Sequence, residues 1–320
     1  YKDAQGCSCQ HWDVEMGKAG LREGVRFALE HRGRFNGRVQ TLLTPHAVEK
    51  FTPELLKLTL AEARAAELPI EIHVSQSLFE VQAVRERHED TPVGFLNSMG
   101  FLGPDIMLGH CVFVDDHPAV GGDSDRDLRL IADAGSSVAH APLAFARRDA
   151  EALHTLPRYL EYGINVGIGC DIWPGDIIDE MRLAWLMGKH ANRTVDRPTC
   201  RDVFYAATVG SAEALQRGDL GRLAPGAKAD IVCVDLSGYH FGPVLDPVRA
   251  LVSFGTGRDV DTVYVDGRPI VQDGNVLNAD EEKLRAAAPG ILKKLHAAAS
   301  ERDPLGRTAE EILAAHGAGV

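Results

Sequence analysis

Apolar positions in this chain follow two spacings that take turns, a helical one of three to four residues and a strand spacing of two. Leu21, Val25, Ala28 and Leu29 form a helical stripe up to Gly33, and residues 38–44 then read as a strand ending at Pro45 and His46. Thr52 and Pro53 open the next helix as cap and first-turn proline, with Leu55, Leu56, Leu58, Leu60 and Ala63 inside it. Pro69 leads into the strand Ile70, Glu71, Ile72, which His73 ends. Helical stretches at 79–87 and 93–99 precede a strand over 106–114, and His110 lies within it. A helix over 123–134, a strand over 136–140 and a helix over 153–162 follow. In the strand 164–170, Ile164, Val166, Ile168 and Cys170 alternate with Asn165, Gly167 and Gly169, and Asp171 stands at its carboxyl end. Asp176 is the expected N-cap of a helix over 178–189, and Thr199 opens another that runs past Gly210 toward Leu215.

Five strands alternating with helices imply parallel pairing, in the later part of an eight-unit barrel or in an open doubly wound sheet. The pattern changes near residue 219, where the chain becomes Gly-rich with short β-prone pieces at 229–235, 251–254, 260–265 and 269–271. Asp266-Gly267 and Asp273-Gly274 are hairpin-turn pairs. Helical spacing returns over 279–299 and 309–315. The expected organisation is a partial barrel over 1–216, a small β domain over 217–278 and a helical tail over 279–320.

Composition narrows the partners. With 34 basic against 46 acidic residues and a net charge of −12, a polyanion such as nucleic acid is disfavoured. No apolar run reaches the roughly 18 residues of a membrane span. Six cysteines in 320 residues do not make a disulfide scaffold, so a reducing compartment, the cytoplasm, is expected. Cys7, Cys9 and His11 lie close together, but no second ligand set follows at defined spacing, and a loop is the expectation there. The chain starts at Tyr1, which leaves room for a leader upstream.

His73, His110 and Asp171 recur at or near carboxyl ends of strands, and His140 is a fourth. In a barrel those ends ring one mouth, so the four would converge, and imidazole with carboxylate is the donor set of catalytic divalent-metal sites. On position alone Asp171 is equally a carboxylate that turns a loop, and a single histidine is more often a structural one. Trp173, Phe145 and His46 are candidate pocket walls, each as readily plain packing.

The runs PIEIHVSQSLFEV, MLGHC, VAHAP, VGIGCD and GDLGRLAPGAKADIVCVDL, in that order, resemble the amidohydrolase superfamily in its cytosine-deaminase-like and triazine-hydrolase-like branch. The resemblance implies an α/β fold, a (β/α)8 TIM barrel whose N-terminal strands are missing from this chain, with a small β-sandwich. It implies one divalent ion, zinc first and iron, cobalt or manganese as alternatives. His73 and Asp171 match metal ligands, and His110 with Asp171 matches the catalytic pair. His46, Gln76, His140 and Trp173 are the expected substrate contacts, around a small molecule in a homo-oligomeric enzyme.

Two departures accompany the resemblance. The family's first strand carries a His-x-His pair, which these residues lack, so a truncated sequence of a longer protein is expected. Where the family's deaminases place a glutamate three residues after the fifth-strand histidine, Gln76 stands here, and an amide is no general acid. Glu80, one turn on, would substitute only if its helix began with unusual geometry. The expected activity is hydrolysis of a non-peptide carbon–nitrogen bond in an N-heterocycle, urea, amide or carbamate. Displacement of a halide or thiol is the alternative enzyme, and a non-catalytic barrel subunit is the alternative outside enzymes.

Overall fold

The computed structural model describes residues 12–121, 124–148, 155–303 and 305–315. The loop expected around Cys7, Cys9 and His11, and the ends of the helices expected from 123 and from 153, lie outside them. The described residues divide into two compact units, one within 14–274 and a second made of 12–13 with those from 275 onward.

In the larger unit four parallel strands lie in sequence order, β1 (Ile70–Val74), β2 (Ile106–His110), β3 (Ser137–His140) and β4 (Val166–Ile168). Helices stand between successive strands, so every connection is the crossover that parallel pairing requires. The core lies between sheet and helices. Ile70, Ile72 and Val74 of β1 are buried with Ile106 and Leu108 of β2, Val138 of β3 and Val166 of β4, against Leu56, Leu60, Leu96, Leu128, Ile131 and Tyr159 from the helices. On β1 the alternate residues, Glu71 and His73, are only half-buried. The sheet is an open α/β arrangement of the barrel type, not closed by hydrogen bonds among the described residues.

Residues 38–44 do not form the expected strand. Leu43 N–H donates to the Pro69 carbonyl and Glu71 N–H to that of Leu43, giving single parallel bridges at Leu43 and Ala47. Pro45 has no N–H with which to continue the ladder, which explains why pairing beside β1 stays at isolated bridges. The strand expected over 106–114 stops at His110, because His110 and Cys111 take φ of 75° and 50°, which no extended ladder accommodates. The strand over 164–170 is confined to β4, and Pro142–Arg148 is a helix directly after β3 where only a turn was expected. The stretch 251–254 is helix, not strand: Asp246 caps Pro247–Phe254 by accepting from the N–H of Arg249, with Pro247 in the first turn.

Beyond the barrel-type part, β5 (Ile231–Val234), β6 (Val260–Val265) and β7 (Arg268–Gln272) make one antiparallel sheet, β6 and β7 joined through Asp266 and Gly267. Both turn residues have positive φ, 50° and 75°, the conformation that an Asp-Gly hairpin supplies. In the second unit, helices span Glu281–Ala297, Ala299–Arg302 and Ala309–Ala315. No helix among the described residues is long and apolar enough to cross a membrane.

The loop after β2 is pinned by a buried pair of aspartates. Asp127 accepts from the N–H of Asp115 at 3.1 Å and from the Thr91 hydroxyl at 2.6 Å, while Asp115 accepts from the N–H of Asp127 at 3.2 Å. Burial, and then the charge of Asp115, push the Asp127 carboxyl up to about 7. Its folded value therefore exceeds the unfolded one near 4, so its contribution to stability is complete below about pH 4 and is lost as pH rises through 7. Asn keeps one acceptor for Asp115 and can donate to Thr91, whose hydroxyl rotates. Asp127→Asn is expected to gain stability over the parent between pH 5 and pH 8, on the order of a few kcal/mol at most. Melting temperatures of both proteins across that range test this, and parallel curves would refute it.

Candidate active site

β1 builds the first wall. Its alternation buries Ile70, Ile72 and Val74 on the helix side, which turns Glu71 and His73 together to the other face. Glu71 Oε1 lies 3.7 Å from His73 Nε2. Across the ladder from His73 stands Gly109, where a Cβ would fall 2.5 Å from Glu71 Oε1 and 2.9 Å from His73 Cδ2. The bare backbone of β2 is what lets both side chains lie over it.

His110 follows a different rule. Strict alternation would send it with Leu108 to the helix side, but its left-handed φ ends the strand and its ring lies 4.7 Å from that of His73. Two bonds hold this turn: Cys111 N–H donates to the Val74 carbonyl at 3.0 Å, and the fully buried Tyr159 hydroxyl donates to the Cys111 carbonyl. Phe145 then packs edge-on to the His110 ring at 5.1 Å. On the other side of His73, the ring of His46 stands 5.3 Å away, and Lys50 Nζ is 3.1 Å from its Nδ1.

β1 and β4 are the outer strands of the parallel sheet, yet the Asp171 carboxylate just beyond β4 acts on Glu71 and His73 of β1. The exits of β1 and β4 therefore lie within electrostatic range of each other. Burial first, and Asp171 second, push the Glu71 carboxyl up to about 7. His73 is lowered by burial and by His46, with Asp171 opposing. Glu180 is buried, with Oε2 accepting from the N–H of Leu143 at 2.9 Å and Oε1 without a partner among the described residues, and burial with the Asp171 charge lifts it to about 7. The strand ends thus gather carboxyl groups able to hold or release a proton near neutrality.

The remaining expected residues are placed differently. His140 is 1% exposed, both ring nitrogens lack a partner among the described residues, and burial followed by His110 pushes it down to about 4, so it is a neutral imidazole. Trp173 is 85% exposed, and its carbonyl accepts from Arg147 at 2.9 Å. Gln76 is half-buried, its N–H donating to Glu80 at 2.8 Å. Glu80 is no substitute acid, because both its oxygens are committed to backbone N–H groups in a fully buried position. An apolar groove of about 630 Å3, walled by Leu21, Phe27, Leu43, Pro45, His46 and Leu55, borders the site, but His73, His110 and Asp171 do not line it.

Glu71 and Glu180 were not singled out from the sequence. Glu71 had a signal, standing two residues before His73 and so on the same face of its strand. Glu180 had one too, a carboxylate in register with Ile177 and Ala184 on an apolar helical stripe.

His73 and Asp171 have the chemistry a divalent ion takes, and His73 Nδ1 is buried without a partner among the described residues. Among the described residues no group of three His, Cys, Asp or Glu side chains is arranged to hold an ion. The pair fits part of a coordination shell, which further donors from outside the described residues would have to complete.

The family model described as the amidohydrolase family matches residues 19–270. The 5'-deoxyadenosine deaminase of Methanosarcina mazei is 33% identical over 290 residues, an alignment that covers 89% of this chain and 64% of that protein. The 5-methylthioadenosine/S-adenosylhomocysteine deaminase of Carboxydothermus hydrogenoformans is 31% identical over 280 residues, covering 86% and 62%. Among solved structures, an adenosine deaminase from Xanthomonas campestris with bound zinc shares the fold, with a TM-score of 0.79 at 21% identity and coverage of 87% and 62%. The atrazine chlorohydrolase TrzN from Arthrobacter aurescens, complexed with zinc, aligns with a TM-score of 0.73 at 26% identity, covering 85% and 60%. The chain thus spans less than two thirds of the length of these relatives.

Proposed function

The chain belongs to the amidohydrolase family, and from that premise we propose that it carries the acid–base side of a hydrolase acting on a non-peptide carbon–nitrogen bond of a small N-heterocycle. The deaminase relatives make 5'-substituted adenosines the first substrates to try. The observation that carries the proposal is the gathering of His73 and His110, with rings 4.7 Å apart, within electrostatic range of Asp171 at the ends of β1, β2 and β4 of one parallel sheet.

In this reading Asp171 accepts the proton of the attacking water and passes it toward the leaving amine, which departs as ammonia. His110, held by its left-handed turn and by Phe145, hydrogen-bonds the substrate atom on which charge develops. His73 and Asp171 would hold a divalent ion, zinc ahead of iron, cobalt or manganese. When bound, such an ion supplies a water acidified to near neutrality as the nucleophile. Glu71 steadies the His73 ring from 3.7 Å. The four described cysteines are free and the charge is −12, which fits a cytoplasmic enzyme with a small-molecule substrate.

One observation favours a second reading. Gln76 offers no proton, so a leaving group that needs none, a halide or a thiolate on an activated ring carbon, suits the site as it stands. Assays on 5'-deoxyadenosine and on a chlorinated triazine separate the two. Chelation followed by desalting is expected to abolish turnover of the active substrate, and about one equivalent of zinc per chain to restore it. Turnover by a preparation free of metal by elemental analysis would overturn the metal-dependent reading, and absence of both turnover and metal uptake would favour a binding subunit.

A further inference from the structure

The helix Leu78–His88 begins with an ordinary cap and an unusual third residue. Ser77 Oγ accepts from the N–H of Glu80 at 3.2 Å, as a serine N-cap does. In a capping box the carboxylate at that third position turns back to the N–H of the cap residue itself. Glu80 reaches past it: Oε1 accepts from the N–H of Ser75 at 2.7 Å and Oε2 from that of Gln76 at 2.8 Å. Ser75 is left-handed, with φ of 52°, and successive N–H groups around such a residue converge on a hollow that binds an anion. The chain fills the hollow with its own Glu80 carboxyl group, 0% exposed, which burial pushes up to about 8 although the two N–H bonds pull it the other way.

The turn that Glu80 holds is tied to both histidine-bearing strand ends. Ser75 comes two residues after His73, and its carbonyl accepts from the N–H of Phe113 at 2.9 Å. The Val74 carbonyl accepts from Cys111, the residue after His110. One carboxylate therefore fixes the short piece of backbone through which the exits of β1 and β2 are joined.

We propose that Glu80 is a positioning residue, whose grip on the Ser75–Gln76 turn sets the spacing between the His73 and His110 rings. Its importance for turnover rests on the hydrolase reading above, whereas its effect on the two rings does not.

Two variants of the full chain separate positioning from helix stability. Glu80→Gln leaves one acceptor but turns an amide N–H toward a backbone N–H, so one half of the grip is lost. Ser77→Ala weakens the start of the same helix and leaves the grip intact. Glu80→Gln is expected to lower kcat by roughly ten- to a hundredfold with KM within about twofold, the cost of a small misplacement of reacting groups. It is also expected to shift the ring NMR signals of both His73 and His110 while that of the exposed His190 stays in place. Ser77→Ala is expected to lower the melting temperature and leave kcat and both ring signals unchanged. Unmoved ring signals in Glu80→Gln, or an equal loss of kcat in Ser77→Ala, would overturn the proposal. If Glu80→Gln does not fold, amide exchange in the unsubstituted protein decides: Ser75 and Gln76 must be as protected as the amides of β1, and fast exchange there would overturn it. Should the protein turn over no substrate at all, the hydrolase reading fails, and the ring signals still decide the role of Glu80.

Discussion

Asp171→Asn is expected to lower kcat by about a thousandfold, within the range that a positioned acid–base group contributes, with little change in melting temperature. The carboxylate is exposed and accepts no hydrogen bond from a described residue, so asparagine removes charge and basicity without removing a structural contact. Its neighbour in sequence shows the contrast. Asp176 accepts from Ile178 N–H at 2.9 Å and from Gly257 N–H at 2.7 Å, the behaviour of a carboxylate that shapes a loop. Asp171 has no such duty, and its charge instead reaches Glu71, His73 and Glu180. The same substitution has a second signature. Asp171 holds Glu71 up and works against the lowering of His73, so both groups should titrate lower in the variant. Steady-state kinetics with a pH titration followed by NMR measures both. A kcat within about threefold of the parent would mean that the carboxylate merely turns the loop.

The parts of the fold legible in the sequence are those governed by local chemistry. Thr52, Asp176 and Thr199 all cap helices by accepting N–H bonds, and the alternation of β1 follows from burial of one face. What local pattern did not reveal depends on partners distant in the chain. Residues 38–44 have strand composition, but pairing requires an N–H where Pro45 has none. Leu251 to Phe254 is an apolar run too short to distinguish strand from buried helix, and the cap at Asp246 lies just outside it. The site divides in the same way. His73 and Asp171 stand where their strands end, so topology brings them together. His110 reaches His73 only through a left-handed turn held by Tyr159, a residue 48 positions away. The carboxyls of half-buried Glu71 and buried Glu180 draw their raised pKa from burial and from Asp171, and neither is visible until the strands have paired.

Burial at the exit of β1 bears on Gln76, whose N–H is held by Glu80. Gln76→Glu is expected to raise kcat/KM toward an amino-heterocycle by about a hundredfold relative to a halide-bearing analogue, the usual worth of a general acid in reach of a leaving group. A new carboxyl here stands on a half-buried residue beside Glu80, which burial pushes up to about 8. Partial burial should raise the added group as well, toward the protonated state in which it can donate to a ring nitrogen or a departing amine. The backbone beneath it is already fixed, because the Gln76 N–H is held by Glu80 at 2.8 Å and that bond does not involve the side chain being changed. A halide leaves without a proton, so its displacement gains nothing from the new acid and pays for the extra negative charge beside the site. The sign of the difference between the two substrates therefore separates an acid in reach of the leaving group from a charge that is only nearby. Kinetics of Gln76→Glu on a matched pair, an aminopurine nucleoside and its 6-chloro analogue, measure it, and equal losses on both would show that position 76 does not face the leaving group.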